Sequence, residues 1–191
     1  MFRQLFFIIL VLFISHKSYA DELNLQLSND SLRLIYAAEV FGGSFGPTDL
    51  EMAGYYNRES DTILHLGLLI RNDTLDNPLI IRIGTRFYYV DAGNQPGQAS
   101  VTASALTFGG ELLYVPDAFN GFGVGFAYFV SPTVTTFQDA DGFTEYSVIV
   151  NYSVSETTGF YVGYRNIELK LDNASDVEVE AGFMFGFRLL L

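Results

Sequence analysis

The sequence predicts an all-β fold: an antiparallel, up-and-down transmembrane β-barrel of about ten strands, with eight as the fallback count, following a cleaved signal peptide. Three observations predict it. After residue 20 the apolar residues recur at every second position, the period of a strand with one apolar face. No apolar run beyond that point approaches the roughly 20 residues that a spanning helix needs. The face opposite the apolar one is built of Gly, Arg and Glu, whereas a soluble barrel points its charges outward and fills its interior with large apolar side chains.

The leader comes first. Met1-Phe2-Arg3-Gln4 carries one positive charge, Leu5 to Ile14 is uninterruptedly apolar, and Ser18-Tyr19-Ala20 presents small residues before acidic Asp21-Glu22. This is the layout of a secretory signal peptide, and the apolar run is half the length of a membrane anchor. Cleavage after Ala20 divides the chain into a signal peptide, 1–20, and a single barrel domain, 21–191.

The strands follow in order. Leu23, Leu25 and Leu27 alternate with Asn24 and Gln26. Leu32, Leu34, Tyr36, Ala38 and Val40 alternate with Arg33 and Glu39. Leu50, Met52, Gly54 and Tyr56 alternate with Glu51 and Ala53. Thr62, Leu64, Leu66, Leu68 and Ile70 alternate with His65 and Gly67. Leu79, Ile81, Ile83, Thr85, Phe87 and Tyr89 oppose Arg82, Gly84 and Arg86. In the second half, Phe108 to Tyr114 oppose Gly109 and Glu111, and Phe122 to Val130 oppose Gly123, Gly125 and Ala127. Tyr146 to Tyr152 oppose Glu145, Ser147 and Asn151, and Phe160, Val162 and Tyr164 oppose Gly163 and Arg165. Finally Val177, Val179, Ala181, Phe183, Phe185, Phe187, Leu189 and Leu191 oppose Glu178, Glu180, Gly182, Gly186 and Arg188. Turn formers separate the runs: Asn29-Asp30, Gly42-Gly43, Arg58-Glu59-Ser60, Asn77-Pro78, Gln95-Pro96-Gly97, Pro116-Asp117, Asp139 to Gly142 and Asp172-Asn173. The first run and the segment Thr133 to Gln138 carry the weakest pattern. An even strand count places both termini on one side.

Composition narrows the function classes. With Arg3 and Lys17 removed, 8 basic residues stand against 22 acidic ones, a net charge of −14. Such a chain has no basic tract to neutralise phosphates, so nucleic acid is not an expected partner. Cysteine is absent, which removes disulfides, thiol nucleophiles and cysteine-based metal sites. The 18 Phe and 12 Tyr suit the aromatic girdles of a membrane barrel.

The last run bears most on location. An apolar edge strand at the end of a soluble chain invites aggregation, and closure in a bilayer removes the edge. Its ending, Gly186-Phe187-Arg188-Leu189-Leu190-Leu191, resembles the carboxy-terminal signal read by the barrel-assembly machinery, with Gly186, Phe187, Leu189 and Leu191 as its elements and Leu where Phe or Tyr is usual. The chain also resembles the YfaZ family of small outer-membrane proteins. The likeness is sharpest at Gly159–Leu191, where Gly163-Tyr164-Arg165 is followed by Ile167-Glu168-Leu169, an acidic loop and a final strand. A second anchor runs from Gly110 to Pro132, with Pro116 and Ser131-Pro132. The resemblance implies residence in the cell outer membrane and no enzymatic activity.

The inner face carries the candidate site: Arg33, Arg82, Arg86, Arg165 and Arg188 against Glu39, Glu51, Glu111, Glu145, Glu178 and Glu180. This charge set reads as an ion-pair network plugging a narrow lumen, because charges taken from water must be paired. The alternative is an ion-selective constriction, a narrow channel for ions or small solutes. A third reading is a lipid-modifying enzyme using His65 near Ser60, but a triad needs nucleophile, base and acid together, and only residue types point to it. Asp139-Ala140-Asp141-Gly142 lacks the further ligands of a calcium loop and reads as a turn. No cofactor or metal is expected. Acidic segments at Asp91–Gly97, Ser131–Gly142 and Asp172–Asp176 are expected to face outward, where contact with lipopolysaccharide phosphates would need bridging divalent cations. Outer-membrane lipids, lipopolysaccharide and the assembly machinery are the expected partners of a monomer.

Overall fold

The computed structural model describes residues 22–43, 46–58, 61–72, 78–92, 101–171 and 176–191. The leader and Ser60 lie outside the described residues, as do most of 91–97 and 172–176. The chain forms β1 (Glu22–Ser28), β2 (Ser31–Gly43), β3 (Gly46–Asn57), β4 (Thr62–Arg71), β5 (Leu79–Ala92), β6 (Val101–Tyr114), β7 (Phe122–Ser131), β8 (Thr136–Gln138), β9 (Ala140–Ser153), β10 (Thr158–Leu171) and β11 (Val177–Leu190). Each strand pairs antiparallel with its neighbours, and β1 pairs with β11 while β5 pairs with β6, so ten strands close into a ring. Closure leaves no open edge, the condition for backbone to stand in lipid. The eleventh strand, β8, is a short addition to the wall: it pairs with β6 at Ala103–Ala105, on the edge that β7 pairs from Phe108 onward. The weak segment Thr133 to Gln138 thus becomes a single 3-10 turn and this short strap.

Glu22 pairs with Leu190, so both ends of the barrel domain meet at one rim, here called the terminal rim. The connections after β1, β3, β5, β7 and β10 lie at the opposite rim. All three acidic segments that the sequence marks as outward belong to those connections.

The outer face is apolar. Leu66, Leu68 and Ile70 on β4, Ile83 and Phe87 on β5, Phe126 and Tyr128 on β7, and Phe183 and Phe185 on β11 all point away from the ring and are exposed. Far more apolar surface is shown than a soluble protein tolerates, and lipid is the solvent that suits it. The full strands are long enough to cross, since a tilted spanning strand needs about 9–11 residues. Phe160 packs on Phe185 and Phe187, and Tyr164 on Phe183, so the last strand is tied to β10 by aromatic contacts. On the inner face, Gly186 lets Tyr161 of β10 lie flat across β11. A Cβ at 186 would stand 2.0 Å from the tyrosine ring.

Three features depart from the sequence pattern. β6 begins at Val101 and not at Phe108, because Ala103, Ala105 and Thr107 continue the inward alternation with small residues that the apolar count overlooks. A β-bulge between Ile167 and Glu168 opposite β11 shifts the phase of the last strand. Val179 is thereby buried and Glu178 turned to the exposed side, where it accepts a weak bond from Asn166 Nδ2 at 3.4 Å. Glu178 is therefore not a lumen residue: one extra residue flips every side chain beyond it. Finally, the inner face is not uniformly small and charged. Its half away from the terminal rim is apolar, with Tyr55, Ile63, Tyr88, Val90, Phe143, Ile167 and Leu169 in contact.

Candidate functional site

The bore is stacked in three levels. Farthest from the terminal rim is the apolar level, where Tyr88, Val90, Phe143, Ile167 and Leu169 are at most 1% exposed. Ala92, Ala103, Ala105 and Ala140 leave room for these large side chains, so large and small residues share one packed cluster on the inner face.

The middle level holds charge. Arg33 of β2 reaches Glu145 of β9 at 2.5 Å, and Tyr88 of β5 donates its hydroxyl to the same carboxylate at 2.5 Å. β2 and β9 are four strands apart around the ring, so this bond crosses the bore. Glu51 on β3 accepts from His65 Nε2 at 2.7 Å and from Arg86 Nη2 at 3.0 Å. Arg86 also donates to Glu111 on β6, and its guanidinium lies 3.9 Å over the Phe129 ring. Arg165 of β10 binds Glu180 of β11 at 2.7 Å through Nε and also donates to Gln26 of β1. Ser31 donates to the other oxygen of Glu180 at 2.7 Å. Desolvated charges survive only when paired and hydrogen-bonded, and every charge at this level is.

His65 joins two of these units. Its Nδ1 stands 3.1 Å from Arg33 Nη2, and a guanidinium only donates. Nδ1 is therefore the acceptor, and the ring proton sits on Nε2, aimed at Glu51. Both ring nitrogens are engaged. The ring also lies tilted against Tyr88, centroids 5.0 Å apart.

The level next to the terminal rim is looser. Arg82 of β5 binds Glu22 of β1 at 2.7 Å, a second bond across four strands of the ring. Arg71 binds Glu39 at 3.3 Å. Asp49 stands 3.7 Å from both Arg71 and Arg82, within ion-pair range but too far for direct hydrogen bonds. Arg188 donates to Asn151 at 3.2 Å. A cavity of about 120 Å³ opens here, lined by Glu22, Gln26, Glu51, Arg82, Glu111, Ser147, Tyr161 and Arg188 among others. Glu111 is the looser carboxylate, its side chain 27% exposed against 4% for Glu51.

Of the residues marked from sequence, Arg33, Glu51, Arg86, Glu145, Arg165 and Glu180 thus meet in the middle level, Arg82, Glu111 and Arg188 line the cavity, and Glu39 pairs with Arg71. Glu178 alone is misplaced, for the reason given above. Sequence reasoning missed Glu22, Asp49, Arg71 and Tyr88. Parity was the available signal for three of them: Asp49 is in phase with Glu51, Arg71 with His65, and Tyr88 with Arg86. Glu22 was read with the cleavage site although it is in phase with Asn24. Among the described residues, no group of three or more His, Asp or Glu is placed to hold a metal ion.

Several solved structures are similar to this chain in overall shape. A KdgM porin has a TM-score of 0.45 and 10% identity, over 90% of this chain and 98% of that one. The outer membrane channel DcaP of Acinetobacter baumannii has a TM-score of 0.43 and 8% identity, over 91% and 62%. A NanC porin has a TM-score of 0.42 and 10% identity, over 88% and 97%. No curated protein matches by sequence. The YfaZ precursor family model matches residues 4–190. A closed ten-strand barrel in an apolar belt, matched by that model over nearly its whole length, belongs to the YfaZ family.

Proposed function

We propose that this protein is an outer-membrane barrel of structural or interaction type whose bore is closed at neutral pH. One observation carries the reading: the apolar level fills the bore behind a charge level whose bonds span it from wall to wall. An ion would have to cross a dry constriction after displacing paired charges, two barriers that Tyr88 ties together, its ring packed on Phe143 and its hydroxyl bonded to Glu145. Its partners in this reading are outer-membrane lipids and lipopolysaccharide, with the assembly machinery meeting Gly186, Phe187, Leu189 and Leu191 during biogenesis. The barrel acts as a monomer.

The test is planar-bilayer conductance of the mature chain at neutral pH. The account expects a silent bilayer, and discrete current steps would contradict it. A second reading, a narrow channel for ions or small solutes, is favoured by the cavity that enters the bore from the terminal rim; steps in the same recording would support it. The lipid-modifying reading finds His65 held on both nitrogens by Glu51 and Arg33, with no face left to serve as a base toward a nucleophile.

A further inference from the structure

We propose that His65 is an acid-sensitive latch on the charge level, so that protonating its ring unlocks the bore and turns the closed barrel into a conducting one. The inference rests on the closed reading above and adds the condition under which it ends.

Arg33 holds two partners at once: Glu145, across the bore, and His65 Nδ1, on the near wall. The second bond exists only while Nδ1 carries a lone pair. A proton on Nδ1 sets N–H against N–H at 3.1 Å and places one cation beside another. No acceptor is free to take the new Nδ1 proton. From β3, Glu51 already accepts from His65 Nε2 and from Arg86. From β5, Arg86 stands as a second cation on the same Glu51 carboxylate, and Tyr88 donates its hydroxyl to Glu145. From β9, Glu145 is taken by Arg33 and Tyr88. Glu111 of β6 is engaged by Arg86, and Arg165 of β10 is closed on Glu180 and Gln26.

Net charge does not set the latch. Arg33, Arg86 and Arg165 face Glu51, Glu111, Glu145 and Glu180. A charged imidazole keeps Glu51 as its counter-charge, but its Nδ1 proton is set against Arg33, and that clash is relieved when Arg33 swings off or water enters. Arg33 is the group that must move: its bond to Glu145 is the bar across the bore, and Glu145 also holds the hydroxyl of Tyr88, whose ring packs in the apolar level. The route for the proton is also present, because Glu51 both touches His65 and lines the cavity from the terminal rim.

The experiment is bilayer conductance of the mature protein, titrated from about pH 7.5 to about pH 4, the range in which imidazole is the side chain that ordinarily changes charge first. Wild type is expected to be silent at the start and to rise by about tenfold or more on acidification. His65→Gln is expected to stay silent throughout, because its amide oxygen still accepts from Arg33 and its amide nitrogen still donates to Glu51 without titrating. Acid opening of His65→Gln to the wild-type level would overturn the proposal, as would a wild type silent at every pH. If His65→Gln does not fold, the ring ¹⁵N signals of His65, the sole histidine after residue 20, decide in wild type. Protonation of Nδ1 must accompany the onset of current, and current without it rejects the latch. Current already flowing at neutral pH would instead reject the closed reading itself, which keeps the two failures distinct.

Discussion

The two halves of the bore solve the same geometric problem by opposite means. Away from the terminal rim, Phe143, Ile167, Leu169 and Tyr88 pack in one buried apolar cluster. Toward the terminal rim, Glu22, Arg82, Glu111 and Arg188 line a cavity, Asp49 and Arg71 pair with this group, and several of the contacts are long. Apolar packing is non-directional and tolerates only tight fit. Charge pairing reaches across space but demands a partner for every group. The middle level sits where the two regimes meet, and there both demands are satisfied together: Tyr88 packs on Phe143, ring centroids 4.5 Å apart, while its hydroxyl serves Glu145. The comparison teaches that the seal and the network are one unit joined through Tyr88.

Substitutions can break that unit or sharpen the contrast. The largest effect is expected from Glu145→Ala, which strands Arg33 and Tyr88 in a buried layer. A loss of about 3–5 kcal/mol is expected for removing one partner of a buried pair, read by urea unfolding in lipid vesicles. Next comes Leu169→Ala, which opens a void in the apolar level and is expected to cost about 2–4 kcal/mol by the same measurement. A near-neutral result at either position would show that its half of the bore is loosely packed. Gly186→Ala drives a methyl into the Tyr161 ring, and overpacking of this kind costs about 1–3 kcal/mol. Pairing it with Tyr161→Leu should restore most of the loss, and no restoration would mean that the backbone, not the ring, is the constraint. The smallest effect belongs to Arg58→Ala. Arg58 meets Asp30 at the rim in a pair whose side chains are 79% and 65% exposed, and a change within about 0.5 kcal/mol is expected.

The ring itself was legible in the sequence because its cause is local. Alternation over Leu64 to Ile70 or Phe122 to Val130 depends on residues two apart, and lipid on one side makes the pattern strict. The inward charges were legible for the same reason. Their partners were not: Arg33 and Glu145 are 112 positions apart and Arg165 and Gln26 139, and nothing in either strand specifies which wall it will face across the bore. The bulge at Ile167 has no sequence mark either, so Glu178 was placed by a phase that the chain had already lost. The apolar half of the inner face was hidden because Tyr88, Ile167 and Leu169 look like membrane residues until the register says which way they point.

The contrast between the halves is tested most directly by side-specific labelling, which the absence of native cysteine makes clean. Single cysteines replace Ala103 in the apolar level and Ser147 beside the cavity, and a small membrane-impermeant thiol reagent is added to one side of a bilayer or the other at neutral pH. The account predicts that Ser147→Cys reacts from the terminal-rim side only, and that Ala103→Cys reacts from neither. Labelling of Ala103→Cys, or of Ser147→Cys from the opposite side, would show a continuous water path through the bore and contradict the closed barrel.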